Sequence, residues 1–193
     1  MDESVEGALT VINALEDLKI PYYVGGSLAS STYGAYRATA DADLIADIQQ
    51  QHVDPLVSAL SAEFYIDAEM IRDAIHSHSS FNLLGHRIFA KIDIFIPKDR
   101  PYSRVAFEHR TRRQIDADSQ REVYLASPED TVLAKLEWFR LGHEVSERQW
   151  SDVRAVLAAR KNTLDLAYMR RWAAEITVAD LLSRALDESG ITG

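Results

Sequence analysis

The chain contains no cysteine. Disulfides, thiolate metal sites and cysteine nucleophiles are excluded together, and a reducing cytoplasm suits such a sequence. No uninterrupted apolar run approaches the roughly 18 residues of a membrane span, so no membrane partner is expected. The first residues, MDESVEGALT, are acidic and lack a basic-then-apolar start, so no secretory signal is expected. Positive charge is in short supply: 21 Lys and Arg face 30 Asp and Glu, a net charge of −9. Broad attraction to nucleic acid or to an anionic membrane is therefore not expected. Internal repeats, low-complexity segments and long linkers are also missing.

What remains is ordinary globular composition, 47% hydrophobic and 26% charged over 193 residues. That length suits one domain with a full core, or a core with a small appendage. SVEGALTVINALEDLK carries Val5, Ala8, Val11, Ile12 and Leu15 at helical spacing, and Pro21 stops it. YYV is a short strand, GGSLASSTYG a turn leading into a short helix, and DADLIADI a strand. DPLVSALSAEF and AEMIRDAIHSH are helical, with a short FYID strand between them. SFNLLG and RIFAKIDIFIP, joined by Gly85-His86, form an antiparallel hairpin. Ile88, Ala90, Ile92, Ile94 and Ile96 alternate along its second arm, so Lys91, Asp93 and Phe95 share the other face. REVYLA is the last strand. Ser127-Pro128-Glu129-Asp130 then starts a helix, with a serine cap, proline in the first turn and acids at the positive end. From there the pattern is helical throughout. The expected fold is α+β: a mixed sheet-and-helix core over residues 1–125, then a bundle of three or four helices over 126–193.

Chemistry concentrates in VGGSLASSTYGAYRATADADLIADI. Asp41 and Asp43 are two apart, so on a strand both carboxylates lie on one face. Charges that close repel unless a cation sits between them. Carboxylate oxygens are hard ligands, suited to Mg²⁺. Asp93 stands between Ile92 and Ile94, a costly place for an unpaired charge. If its strand neighbours that of Asp41, three carboxylates converge, and such a cluster can hold two metal ions. Gly25-Gly26-Ser27, between a strand and a helix, offers backbone amides to a phosphate with no side chain in the way.

These residues, VGGS, RATADAD and KIDIF, resemble the nucleotidyltransferase superfamily that includes DNA polymerase beta. The form Gly-Gly with Arg37, Thr39, Asp41 and Asp43 is similar to the AbiEii-type abortive-infection toxins and related bacterial nucleotidyltransferases. The likeness covers roughly residues 22 to 96. It implies a nucleotidyltransferase-like sheet core and metal ligation by Asp41, Asp43 and Asp93, with Mg²⁺ or Mn²⁺ as cofactor, two ions in all. Asp93 would also help deprotonate the acceptor. Gly25, Gly26 and Ser27 would hold the β- and γ-phosphates of a nucleoside triphosphate. The implied activity is transfer of a nucleoside monophosphate to a hydroxyl of RNA, protein or a small molecule, in the cytoplasm. The protein would be the toxin of a toxin–antitoxin pair, with an antitoxin protein as partner, or a small-molecule adenylyltransferase. The alternative is a catalytically idle binding module or antitoxin-type partner.

The toxin-like families also carry a later Lys-x4-Arg-like motif and a further acid, offered here by Lys135, Arg140, Arg148 and Asp152. Lys135 lies about 60° from Val132 on the helical wheel, at the edge of the buried stripe. It either reaches a cleft and the nucleotide or lays its stem over the core. Arg148 and Asp152, four apart, read as a surface ion pair. Arg37 either touches a phosphate or braces its loop. Residues 98–113 carry six basic residues against two acidic ones, which suits a polyphosphate or RNA patch or else a solvated helix face. His76 and His78 lack a third zinc ligand and read as an exposed helix end. Trp138, Trp150 and Trp172 read as core anchors, one per helix.

Overall fold

The computed structural model describes residues 2–36, 39, 41–115 and 121–191. Helix α1 (Glu3–Asp17) starts where the Asp2 side chain accepts from the Ser4 N–H at 3.0 Å, with Glu3 and Glu6 at its positive end. It buries Val5, Ala8, Val11, Ile12 and Leu15, the stripe read from the sequence. Strands β1 (Tyr22–Val24), β2 (Asp41–Ala46), β3 (Phe64–Tyr65), β4 (Ser80–Gly85), β5 (Lys91–Phe95), β6 (Thr111–Gln114) and β7 (Glu122–Leu125) form one sheet in the order β3-β4-β5-β2-β1-β7-β6. The β2–β5 and β1–β7 pairs are parallel, and the other neighbours run antiparallel. The β4–β5 hairpin matches its expected alternation, with Ile92 and Ile94 fully buried and Lys91, Asp93 and Phe95 on the opposite face.

Helices α3 (Val53–Leu60) and α4 (Ala68–Ser77) join α1 over one face of the sheet. Val24, Leu44, Ile92, Ile94 and Leu125 meet Ile12, Leu15, Leu56, Leu60 and Ile71 there in a first core. The other face carries α2 (Gly26–Thr32), whose neighbour is α6 (Pro128–Leu141). Helix α6 begins as expected: Ser127 Oγ accepts from the Asp130 N–H at 3.0 Å, and proline opens the first turn. With α7 (Glu147–Arg160), α8 (Leu166–Glu175) and α9 (Ala179–Glu188), α6 forms a second core around Leu136, Phe139, Trp150, Val156 and Leu182. Tyr33, Ala35, Tyr102 and Ala106 from the first 125 residues also pack into it. Trp150 and Trp172 anchor this core as expected. Trp138 does not: it is 52% exposed.

Residues 98–113 are not one helix face. Helix α5 (Pro101–His109) ends there, and the chain turns directly into β6. Strand β6 was not read from the sequence because TRRQ has no apolar residue to alternate. It is a largely exposed edge strand held by its backbone pairing with β7.

Candidate active site

Parallel pairing of β2 with β5 sets the site. Asp43 is the register partner of Asp93, and Asp41 that of Lys91. Register partners and i, i+2 neighbours share a face, so all four lie on the face away from α1, while Ala42, Leu44, Ile92 and Ile94 are buried beneath. Asp41 is exposed at the start of β2, and Asp43 and Asp93 are partly buried. The Lys91 Nζ donates to Asp93 Oδ2 at 2.6 Å. That bond holds the Lys91 ammonium above the ordinary lysine range.

The glycine turn is built around Asp43. The Gly25 N–H donates to the Asp43 backbone oxygen at 2.8 Å, and the Ser27 N–H donates to its carboxylate. Gly26 has φ +53°, in the left-handed region that glycine tolerates. A Cβ on Gly26 would stand 2.5 Å from Asp43 Cγ and 2.8 Å from its Cβ. Glycine is required here because the carboxylate fills the space a side chain would occupy. Burial raises the Asp43 pKa, with the neighbouring charge of Asp93 next and Asp41 adding to it; Lys135 and the Ser27 N–H oppose the rise.

Lys135 reaches this site from α6. It is buried, and its Nζ donates to Asp152 Oδ2 at 2.7 Å and to Gln149 Oε1 at 3.3 Å, both on α7. The expected Arg148–Asp152 surface pair is thus corrected: Asp152 is 5% exposed and pairs with Lys135. A buried ammonium with no partner would be costly, and the Asp152 carboxylate on α7 offsets part of that cost.

No protein-family model matches the chain, and no curated protein sequence matches it. Solved structures do share its architecture. A solution structure of the antibiotic-resistance factor ANT(2'')-Ia superposes with a TM-score of 0.56 at 14% identity, over 91% of this chain and 96% of that one. The crystal structure of ANT(2'')-Ia in complex with adenylyl-2''-tobramycin gives 0.54 at 11% identity, over 90% and 96%. An antigenic nucleotidyltransferase-like protein from Paracoccidioides brasiliensis gives 0.53 at 17% identity, over 95% and 92%. The chain has the nucleotidyltransferase fold. At such identities the likeness speaks for the fold, and the chemistry rests on the residues themselves.

Within this nucleotidyltransferase fold, the three acids share a face without closing round a point. Among the described residues no three acidic or histidine side chains stand close enough to enclose a metal ion, so the expected tight convergence of Asp41, Asp43 and Asp93 is not seen. The donor set still fits a divalent cation. Its oxygens are hard, and Mg²⁺ is ordinarily held by one or two carboxylates with substrate phosphates completing its shell. The upward push of Asp93 on Asp43 is the repulsion a cation relieves. The cation beside Asp93 in the structure is the Lys91 ammonium.

Other expected residues lie elsewhere. Arg37 falls outside the described residues. Arg140 is engaged by Asp180 at 2.5 Å and Glu144 at 3.2 Å. Half of the basic segment is paired with acids: Lys98 and Arg100 both bond Glu137 of α6, and Arg104 bonds Asp99, while Arg110 and Arg112 lie over the Tyr124 ring. His78 caps α4 and contacts the Pro97 carbonyl at 2.7 Å, and His76 sits in the last turn of that helix. Lys91 was legible as a neighbour of Asp93 by alternation, but its bond to that carboxylate was not. Asp152 had one signal, its place beside Val153 on the buried side of α7.

Proposed function

We propose that the protein is a nucleotidyltransferase that moves a nucleoside monophosphate from a nucleoside triphosphate to a hydroxyl, using the Asp41, Asp43 and Asp93 face. One observation carries this reading: Asp43 and Asp93 stand side by side in register while a positive-φ glycine makes room for the Asp43 carboxylate. A fold needs neither for stability, and paired acids in a partly buried position are the arrangement that phosphoryl chemistry uses.

In this reading the Gly26 N–H and the Ser27 hydroxyl hold the β- and γ-phosphates, beside Asp43, which the Gly25 and Ser27 N–H groups already brace. The acceptor oxygen forms a bond to the α-phosphorus, and the bond from that phosphorus to the pyrophosphate oxygen breaks. Asp93 takes the acceptor proton once Lys91 releases it. Lys135 adds positive charge near Asp43, where the phosphates would sit. Mg²⁺ or Mn²⁺ ions bound by the three acids supply neutralisation of phosphate charge and a lowered acceptor pKa.

The acceptor is a small cationic molecule bearing hydroxyls. Two features favour it over RNA: the net charge of −9, and the pairing of Lys98, Arg100 and Arg104 with acids, which takes half of the basic segment away from a polyanion. The likeness to ANT(2'')-Ia, a structure of which holds an adenylylated tobramycin, points the same way. The test is incubation with Mg²⁺, each labelled triphosphate and an aminoglycoside panel, with Asp43→Asn as the blank. Label in RNA instead would make the acceptor a polynucleotide. Growth arrest on expression, abolished by Asp43→Asn, would make the protein a toxin.

A second reading is favoured by the Lys91–Asp93 ion pair, which occupies the third acid with a fixed cation. The protein would then be a catalytically idle module that binds nucleotide, or itself an antitoxin-type partner protein. Calorimetry separates the two, since an idle module binds Mg²⁺-triphosphate and turns over no acceptor.

A further inference from the structure

Trp138 is a large aromatic side chain left half exposed beside the candidate site, while the other two tryptophans are buried. It does not stand alone. Its ring meets Phe95 edge-on, with centroids 5.7 Å apart and planes at 64°. Phe95 lies two residues beyond Asp93 on β5 and pairs in register with Ile45 of β2. It therefore shares the face of the carboxylates, about 7 Å further along the strand. Trp138 lies three residues beyond Lys135 on α6, so it neighbours that lysine on the helix surface. Helix and strand thus each carry one charged group at the acids and one aromatic group beyond it.

Direction matters too. The glycine turn follows β1, which runs antiparallel to β2, so it stands at the Asp41 end of the β2–β5 pair. Going along β5, the order is Lys91, Asp93, Phe95. A triphosphate anchored at the turn with its α-phosphate over the acids would carry its nucleoside towards Phe95 and Trp138. Near the same point Lys98 and Arg100 clamp Glu137, the residue before Trp138, and so fix this part of α6 over the end of β5.

We infer that Trp138, with Phe95 behind it, is the stacking surface for the nucleobase of the bound triphosphate. This rests on the reading of Asp41, Asp43 and Asp93 as the phosphate end. Just over half of the Trp138 surface is open to a planar partner, and the steeply tilted contact with Phe95 orients the ring. Stacking of this kind is tolerant of base identity, so the surface sets affinity and orientation more than choice among bases.

The test uses the full chain, Mg²⁺, the α,β-methylene analogues of ATP and UTP, and inorganic tripolyphosphate as the base-free probe. Trp138→Ala should weaken both nucleotide analogues by roughly 5- to 100-fold. Trp138→Phe should recover most of that loss, and tripolyphosphate binding should be the same in all three proteins. Nucleotide should also quench wild-type tryptophan fluorescence, and Trp138→Phe should lose the quenching, because Trp150 and Trp172 are buried. Unchanged nucleotide affinity in Trp138→Ala overturns the inference, as does an equal loss for tripolyphosphate. If the wild type binds tripolyphosphate but binds nucleotides no more tightly, the stacking surface is refuted and the phosphate site stands. If it binds neither, both fall.

Discussion

Gly26→Ala and Gly25→Ala form a matched pair that separates a structural glycine from a tolerant one. At Gly26 the backbone is left-handed, which costs an alanine about 1–2 kcal/mol. Its new Cβ also lands on the Asp43 side chain, 2.5 Å from Cγ and 2.8 Å from Cβ. The Asp43 Cβ is fixed to a strand paired on both sides, so the conflict is not relieved by swinging a flexible end. Overpacking of this kind adds about 1–3 kcal/mol, for a total of about 2–5 kcal/mol. At Gly25 the backbone is extended, with φ −116°, and the new Cβ meets only the terminal methyl of Ile45 at 2.8 Å. That methyl can shift, and the expected cost is about 1 kcal/mol. Chemical denaturation gives the two stabilities, and calorimetry with Mg²⁺-triphosphate gives the two affinities. Gly26→Ala should lose most binding because the carboxylate is pushed off its place, while Gly25→Ala should keep it. Equal stabilities with equal binding would refute the claim that the turn is shaped around Asp43.

Three further substitutions probe the charges. Lys135→Ala should destabilise by about 3–5 kcal/mol, because it breaks a buried ion pair by removing one partner, whereas Lys135→Met with Asp152→Leu should restore most of the loss, as thermal unfolding would show. Asp43→Asn should raise the melting temperature by the equivalent of about 1 kcal/mol, since it removes a carboxylate disfavoured by burial and by Asp93, and should abolish transfer. Asp130 is a buried carboxyl whose pKa is raised chiefly by burial, although Ser127 and Tyr168 bond it. Its folded state holds the proton more tightly than the unfolded chain does, so its stabilising contribution is full below the ordinary carboxylate range and is lost as pH rises through the raised value. The melting temperature of Asp130→Asn relative to wild type should therefore climb as pH rises above the ordinary carboxylate range; a difference that stays flat or falls would refute that assignment.

Much of this architecture is written in local pattern. The α1 stripe, the β4–β5 hairpin and the Ser127-Pro128 helix start each follow from spacing within a few residues. So does the shared face of Lys91, Asp93 and Phe95. What pattern cannot express is adjacency. Alternation puts Asp43 and Asp93 on some face of some strand, but only the parallel pairing of β2 with β5 makes them neighbours. The same gap explains Asp152. Its nearest oppositely charged residue on the helix is Arg148, yet its partner in space is Lys135 on another helix. Trp138 failed for a related reason: size and apolarity argue for burial, and nothing local shows that α6 ends beside an open sheet face. Strand β6 carries no pattern because an exposed edge strand needs only its backbone.

The central claim is chemical, and isotope position tests it most directly. Wild-type protein with Mg²⁺ and a hydroxylated cationic acceptor receives triphosphate labelled at either the α- or the γ-phosphorus. The acceptor should gain label from the α-position only, with one pyrophosphate released per transfer, and Asp43→Asn should give neither. Label arriving from the γ-position, or full transfer by Asp43→Asn, would contradict the assignment of this carboxylate face to nucleotidyl transfer.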